Sequence, residues 1–185
     1  MQTERIRQAV RELLIAIGEN PDRPELAQTP QKVAEAYAAF FRGLDQNPAD
    51  ALKQTMSAEG SELVMLKDIE LVSICEHHLL PFTGVAHIAY LPTEKIVGLG
   101  RLANLVEILS ARPQLQENLT NQIADEIEKS LAPKGVLVVI EAKHQCVASR
   151  GARQPEVNTI TLASRGSYND VTQRQEAMNL LSVTK

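Results

Sequence analysis

Two short clusters of metal-binding residue types constrain this chain more than any other feature. The first, Cys-Glu-His-His at residues 75–78, follows an apolar run over residues 69–74. The second, His-Gln-Cys at residues 144–146, follows an apolar run over residues 136–140. Together they contain both cysteines of the chain and three of its four histidines. Each cluster ends a strand-like segment, so an antiparallel sheet is expected to bring the two clusters together.

The residue types in these clusters predict a catalytic metal site. Zn²⁺ favours cysteine sulfur and histidine nitrogen, and a catalytic zinc site has three protein ligands and one position left for water. Cys75, His78 and Cys146 form such a set, with His77 and His144 left beside it. Imidazole titrates near neutral pH, so these two histidines are candidates for proton transfer. Two inert buried thiols, or a disulfide between Cys75 and Cys146 that competes with the metal, are the alternatives.

Composition narrows the class of protein. A chain of 185 residues is long enough to bury the core of one domain, and with 3% aromatic residues that core has to be aliphatic. The net charge of −4 argues against a nucleic-acid partner. We see no signal peptide and no apolar run of membrane-spanning length, which predicts a cytoplasmic protein without a membrane partner. In that compartment, paired cysteine and histidine more often indicate a metal or catalysis than a disulfide.

Hydrophobic periodicity predicts an α+β protein with a mostly antiparallel sheet and helices on one face. The predicted helices cover residues 3–17, 29–43, 102–109, 115–131 and 170–181, with a weaker signal over 48–54. The predicted strands cover residues 63–66, 69–74, 84–91, 96–99, 136–142 and 157–163, with His87 as a hydrogen-bonded sheet residue. The pattern changes at Ser61, which predicts an N-terminal helical region over 1–60 and a catalytic region over 61–185.

Several polar residues outside the two clusters are candidate ligand contacts. Singly, Lys32, Arg101 and Arg150 are expected to be surface cations. If the fold gathers them, they form a phosphate clamp, because arginine binds phosphate oxygens in bidentate geometry. Gln116 and Glu117 begin a helix, where the helix dipole alone favours a glutamate. A binding role for this pair requires a ligand with adjacent N–H donors, such as the N1 and 2-amino group of guanine.

The combined motifs closely resemble the GTP cyclohydrolase I family. The matching marks are the two clusters, Gly98-Leu99, the segment 112–117 and Arg150-Gly151, within a stretch from residue 63 to 166, with weaker similarity over 29–33. The resemblance implies a tunnelling fold (T-fold), an antiparallel sheet with helices on its outer face and an N-terminal helical extension. It also implies a homodecamer of two pentamers, in which the sheets join into a barrel and the active sites lie between subunits.

The resemblance implies zinc-dependent hydrolysis of GTP at C8 of the purine. This reaction releases formate, forms 7,8-dihydroneopterin triphosphate and begins folate and pterin biosynthesis. By motif match, Cys75, His78 and Cys146 bind Zn²⁺, and His77 and His144 handle protons. Gln116 and Glu117 hold the guanine edge, Leu99 and Gly100 lie by the substrate, and Arg101, Arg150 and Lys32 face the triphosphate.

This chain departs from the family pattern on the phosphate side. After Gly98-Leu99 the family usually has Ser-Lys-x-x-Arg, whereas this chain has Gly100, Arg101 and Asn104. The alternatives are therefore a zinc hydrolase of the same fold acting on a different or less phosphorylated guanine nucleotide, and a non-catalytic purine- or pterin-binding protein. A reductase of this fold with a nucleophilic cysteine is disfavoured, because both thiols stand in ligand positions.

Overall fold

This computed structural model describes residues 1–59 and 62–182. The described residues fall into two compact units, the first over Met1–Arg42 and the second from Gly43 onward. The predicted boundary between residues 60 and 61 lies outside the described residues. The first unit contains α1 (Thr3–Ala16) and α2 (Thr29–Phe40), which pack on each other. Proline in the first turn of α2 favours the helix start at the predicted position. Among the described residues, no helix has the length and apolar character needed to span a membrane.

The second unit contains seven strands and four α-helices among the described residues. In chain order they are β1 (Thr55–Ser57), β2 (Val64–Cys75), β3 (Pro81–Leu91), β4 (Lys95–Val97), α3 (Leu99–Ser110), β5 (Pro113–Gln114), α4 (Gln116–Leu131), β6 (Gly135–His144), α5 (Gln145–Ala148), β7 (Thr159–Gly166) and α6 (Val171–Ser182). Five of the strands form one sheet in the order β5-β2-β3-β6-β7, and β1 pairs with β4 separately. All pairings in the main sheet are antiparallel except that of β2 with β5. The predicted α+β class is confirmed.

The main core lies between the sheet and the helices α3 and α4. On β6, Val138 and Ile140 point to this side and are fully buried with Leu105 and Ile123 of the two helices. Burial of such side chains contributes about 1.5–3 kcal/mol each, which makes this layer the main source of stability. The alternation of β6 therefore fixes which strand residues face the helices.

The last helix departs from the predicted arrangement. We expected all helices on one face, but α6 packs on the opposite face, where Leu137 and Val139 form a smaller cluster with Tyr168 and Ala177. The prediction was wrong for this helix because β6 is apolar on both of its faces. A strand that is buried on both faces reads as a continuous apolar run rather than as an alternating one.

One strand replaces two predicted strands. β2 runs without a break from Val64 to Cys75, with an irregularity in its pairing between Leu66 and Ile69. At this irregularity Asp68 has a φ of 57°, a conformation that Asp tolerates better than most residues. The N–H of Asp68 donates to Nδ1 of His87 at 3.1 Å, so His87 is the hydrogen-bonded sheet residue that was predicted.

Candidate active site

The ends of β2 and β6 bring three metal-binding side chains together. One ligand atom from each of Cys75, His78 and Cys146 lies within 4.8 Å of the other two. Sγ of Cys75 is 3.9 Å from Nδ1 of His78, which identifies the nitrogen that faces the thiol. Cys75 is buried, Cys146 is half-buried and His78 is exposed. The cluster thus has an apolar base and one side open to solvent.

Sheet register explains why these distant residues meet. In the antiparallel pairing Ile74 lies opposite Pro81, and on the other side of β3 Phe82 lies opposite His144. The start of β3 therefore lies between the end of β2 and the end of β6, so the two strands end next to each other at the same edge of the sheet. Cys146 follows two residues after His144, in the short helix α5. The juxtaposition expected from the sequence follows directly from this register.

Backbone hydrogen bonds shape the loop that carries His77 and His78. The N–H of Leu79 donates to the carbonyl of Cys75 and the N–H of Cys75 donates to the carbonyl of Leu80, both at 2.9 Å. Leu79 has a φ of 51°, a left-handed conformation that costs about 1–2 kcal/mol in a residue with a β-carbon. The closed turn holds this strained residue in place and keeps His78 beside Cys75.

The chemistry of the donor set fits a metal ion with a preference for sulfur and nitrogen. Two thiols and one imidazole make three protein ligands, the number found in catalytic zinc sites. Burial raises the pKa of the Cys146 thiol and the neighbouring Cys75 raises it further, while Arg150 opposes this. A bound cation reverses this effect, because it favours the ionised form of both thiols. Neither cysteine is in a disulfide, so both thiols are available as ligands.

The two remaining histidines flank the cluster in different ways. His77 is exposed, and its ring lies edge-on to that of His78 with centroids 6.1 Å apart. His144 ends β6 and stacks on Phe82, with centroids 4.5 Å apart and ring planes 11° apart. Burial lowers the pKa of His144, and the carboxylate of Glu117 partly opposes this. Glu117 is itself exposed, in the first turn of α4.

Gln116, the first residue of α4, is buried and points into the protein. Its Nε2, which has two hydrogens, shares them among three acceptors: the carbonyls of Ile140 and Thr159 and the hydroxyl of Thr161. Its Oε1 lies 2.7 Å from Nε2 of His144. The structure therefore brings Gln116 to the candidate proton-transfer histidine through a hydrogen bond.

The remaining predicted contacts lie at the start of α3, after α5 and in the first unit. Leu99 and Gly100 are the first two residues of α3 and are exposed, and the next residue, Arg101, donates to Oε1 of Gln54. Arg150 is exposed in the loop after α5, close enough to Cys146 to affect the pKa of its thiol. Lys32 is exposed on α2 of the first unit.

Sequence reasoning missed the contacts that hold His144 in place. Phe82 was not a candidate, because a phenylalanine after proline reads as ordinary core. The sheet register places it opposite His144, and register cannot be read from local periodicity. Thr161 was missed for the same reason. Gln54, which accepts from Arg101, was missed because the two residues are more than forty positions apart in the chain.

An α+β protein that holds a Cys-His-Cys cluster at its strand ends, with two imidazoles beside it, has the features of a metal-dependent enzyme. Comparison with known proteins makes this class specific. The family model for GTP cyclohydrolase I matches residues 6–182. The chain belongs to the GTP cyclohydrolase I family.

Individual relatives match over almost their whole length. The GTP cyclohydrolase 1 of Streptomyces coelicolor is 52% identical over 180 residues, covering 96% of this chain and 90% of that protein. The GTP cyclohydrolase 1 of Carboxydothermus hydrogenoformans is also 52% identical over 180 residues, covering 96% of this chain and 94% of that protein. The GTP cyclohydrolase 1 of Thermoanaerobacter pseudethanolicus is 50% identical over 184 residues and covers 98% of both chains.

Proposed function

We propose that this protein hydrolyses GTP at C8 of the purine, releasing formate and forming 7,8-dihydroneopterin triphosphate. The observation that carries the proposal is the convergence of Cys75, His78 and Cys146 to within 4.8 Å in a member of the GTP cyclohydrolase I family. The relatives that match over most of their length bear the name of this enzyme. The product is the expected starting point of folate and pterin biosynthesis.

The proposed metal is Zn²⁺, held by Cys75, His78 and Cys146. When bound, Zn²⁺ supplies Lewis acidity and lowers the pKa of a coordinated water to about 7. His77 and His144 are proposed to move protons, because both are imidazoles beside the cluster. The stack on Phe82 fixes the plane of the His144 ring. A group that transfers a proton to a bound substrate needs such a fixed orientation.

Substrate recognition is proposed to divide between a carboxylate and several cations. The exposed Glu117 accepts from the N1–H and 2-amino group of guanine, a bidentate pairing that a neutral side chain makes less strongly. Arg101, Arg150 and Lys32 are the proposed triphosphate contacts. Exposed Leu99 and Gly100 at the start of α3 are proposed to lie along the substrate.

We also propose a T-fold assembly, a homodecamer of two pentamers with active sites between subunits and an N-terminal helical extension. Supporting this, β7 is an edge strand, and it exposes 62% of Ile160 and 42% of Leu162. Apolar residues on an open sheet edge favour pairing with another strand. Sedimentation at ten times the chain mass of 20.3 kDa is the expected result. The proposed location is the cytoplasm, where reducing conditions keep both thiols available to the metal.

Turnover of GTP by zinc-loaded and chelator-treated protein tests the proposed reaction. We expect formate and, after oxidation, a fluorescent neopterin derivative from the zinc-loaded protein only. His77→Ala, which leaves all three proposed ligands in place, serves as a metal-binding control with reduced turnover. The absence of both products from protein that contains zinc contradicts the proposal.

A less phosphorylated guanine nucleotide is the second candidate substrate. The features that favour it are Gly100 and Asn104, which stand where the family pattern usually has a serine and an arginine. The two replacements remove a hydroxyl and a cation from the side expected to bind phosphate. A panel of GTP, GDP, GMP and guanosine distinguishes the two candidates, because turnover of GMP equal to or faster than that of GTP supports the second.

A further inference from the structure

The amide of Gln116 connects α4 to two strands and to His144 through hydrogen bonds. The two hydrogens of Nε2 are shared among three acceptors, the carbonyls of Ile140 and Thr159, each at 3.0 Å, and Oγ1 of Thr161 at 3.1 Å. Oε1 lies 2.7 Å from Nε2 of His144. Gln116 is 2% exposed, so water does not compete for these bonds. Few positions are left on this amide for a substrate.

The neighbours of the amide determine which of its ends is nitrogen. Two of them are backbone carbonyls, which only accept, so the group that faces them has to be the NH₂. The hydroxyls agree with this orientation. Thr120 donates to the carbonyl of Gln116 at 2.7 Å and therefore accepts from Thr161 at 2.6 Å, which leaves Thr161 to accept from the amide nitrogen. The amide oxygen thus faces His144.

This orientation also determines the tautomer of His144. An amide oxygen only accepts hydrogen bonds, so Nε2 of His144 carries the hydrogen. A neutral imidazole has one N–H, which leaves the free lone pair on Nδ1. Phe82 fixes the plane of the same ring by stacking. The ring of His144 is therefore held both in its orientation and in its hydrogen-bonding state.

We propose that Gln116 is a positioning residue for His144, and that it acts by fixing the Nε2–H tautomer rather than by binding the guanine edge. The kinetic consequences rest on the proposed hydrolysis of GTP, whereas the tautomer does not depend on any substrate. In this arrangement Glu117 binds the guanine edge and Gln116 does not. Nδ1 of His144 is the nitrogen available to the reacting substrate.

Magic-angle-spinning ¹⁵N NMR of the zinc-loaded protein, labelled at its four histidines, tests the tautomer directly. The method does not depend on particle size, and His144→Gln assigns the signals. With the ring neutral, we expect a protonated Nε2 and an unprotonated Nδ1 for His144. In Gln116→Met, which keeps the volume but removes the acceptor, we expect a mixture of tautomers. An Nδ1–H tautomer in the wild type, or an unchanged tautomer in the variant, overturns the proposal.

Steady-state kinetics separates positioning from substrate binding. If Gln116 positions His144, Gln116→Met lowers kcat for GTP by about 10–100-fold, part of the usual contribution of a general acid or base, and changes KM by less than about threefold. If Gln116 binds guanine instead, KM rises and the positioning role is refuted. In a His144→Gln background, Gln116→Met has no further effect on kcat, because it acts through a group that is no longer present.

Gln114→Met is the matched control, because Gln114 is also a buried amide. It is 3% exposed and donates at 2.9 Å to the carbonyl of Leu109 and to Oε1 of Gln122. We expect a comparable loss of stability with kcat retained, and an equal loss of kcat in both variants counts against positioning. If the wild type does not turn over GTP, the proposed function fails while its NMR spectrum still decides the tautomer. The wild-type spectrum does not require a Gln116 variant to fold.

Discussion

The rings of His144 and Phe82 lie face to face, with centroids 4.5 Å apart and planes 11° apart. The two residues are also partners in the pairing of β6 with β3, and Phe82 is fully buried. The position of the candidate proton-transfer group is therefore set by the same sheet that carries the metal cluster. A contact with the core fixes a side chain more firmly than a contact on a loop.

Phe82→Leu is expected to impair turnover without removing the metal. Leucine retains most of the apolar volume but offers no flat surface to the imidazole, so we expect a loss of about 1–2 kcal/mol in stability and at least about tenfold in kcat. Denaturant unfolding, metal analysis and GTP turnover measure the three quantities. Ile88→Val is the control, since Ile88 is fully buried in the same strand. It should cost about 0.5–1.5 kcal/mol and leave kcat unchanged.

Cys75→Ser and Cys146→Ser are each expected to abolish tight metal binding. Two ligands remain in each variant, and serine is a poor substitute for a thiolate with Zn²⁺. Elemental analysis after dialysis should find less than about a tenth of an equivalent of zinc, and turnover should fall by at least about a hundredfold. Added zinc should restore chelator-treated wild type but neither variant. Full zinc retention by Cys146→Ser contradicts the assigned ligand set.

Much of this site could be predicted because its residues are adjacent in sequence. The cluster at residues 75–78 contributes two ligands from one turn, and the apolar runs before both clusters predicted β2 and β6. The two-residue strand β5 and the four-residue helix α5 were not predicted, because segments so short carry no periodicity. The hydrogen bonds of Gln116 were not predicted either, because they depend on acceptors from β6 and β7 that meet only in the folded sheet.

The stability of the metal-free protein is expected to fall as the pH rises above about 8.5, the usual pKa of a thiol. In the folded chain the pKa of Cys146 is raised by burial and by Cys75. Between the two pKa values, the folded state keeps a proton that the unfolded chain loses. The stabilisation from this thiol is therefore complete below the pKa of the unfolded chain, and it is lost as the pH rises through the pKa of the folded chain. Denaturant unfolding at several pH values measures this loss.

Metal-loaded protein provides the comparison for this pH dependence. Metal binding requires ionised thiols, so it becomes stronger as the pH rises and opposes the loss seen without metal. Metal-free Cys146→Ser should lose the part of the slope that comes from this thiol. Equal pH profiles for metal-free wild type and metal-free Cys146→Ser are incompatible with the raised pKa.

Gly84→Ala is expected to destabilise the sheet, because a β-carbon at this position lies 1.9 Å from the carbonyl oxygen of Glu141 and 2.6 Å from Cα of Ala142. Both atoms belong to the backbone of the neighbouring strand, which cannot move aside cheaply. Overpacking of this kind costs about 1–3 kcal/mol or more. Gly100→Ala is the matched control, since no described atom beyond its chain neighbours and its own helix backbone lies within 4 Å of the added carbon. Its unfolding midpoint should be unchanged or higher, because alanine favours a helix.

Arg150→Gln tests the proposed recognition of phosphate. A charge-assisted hydrogen bond to phosphate is worth about 1.5–3 kcal/mol, so KM for GTP should rise by about 10–100-fold while KM for GMP changes much less. The GTP penalty should shrink at high salt if attraction at a distance contributes. Arg153→Gln is the control, because it removes the same charge from the same exposed loop. An equal effect of the two substitutions indicates general attraction rather than a contact. If Arg150→Gln raises KM equally for GTP and GMP, Arg150 does not contact the part of the triphosphate that GMP lacks.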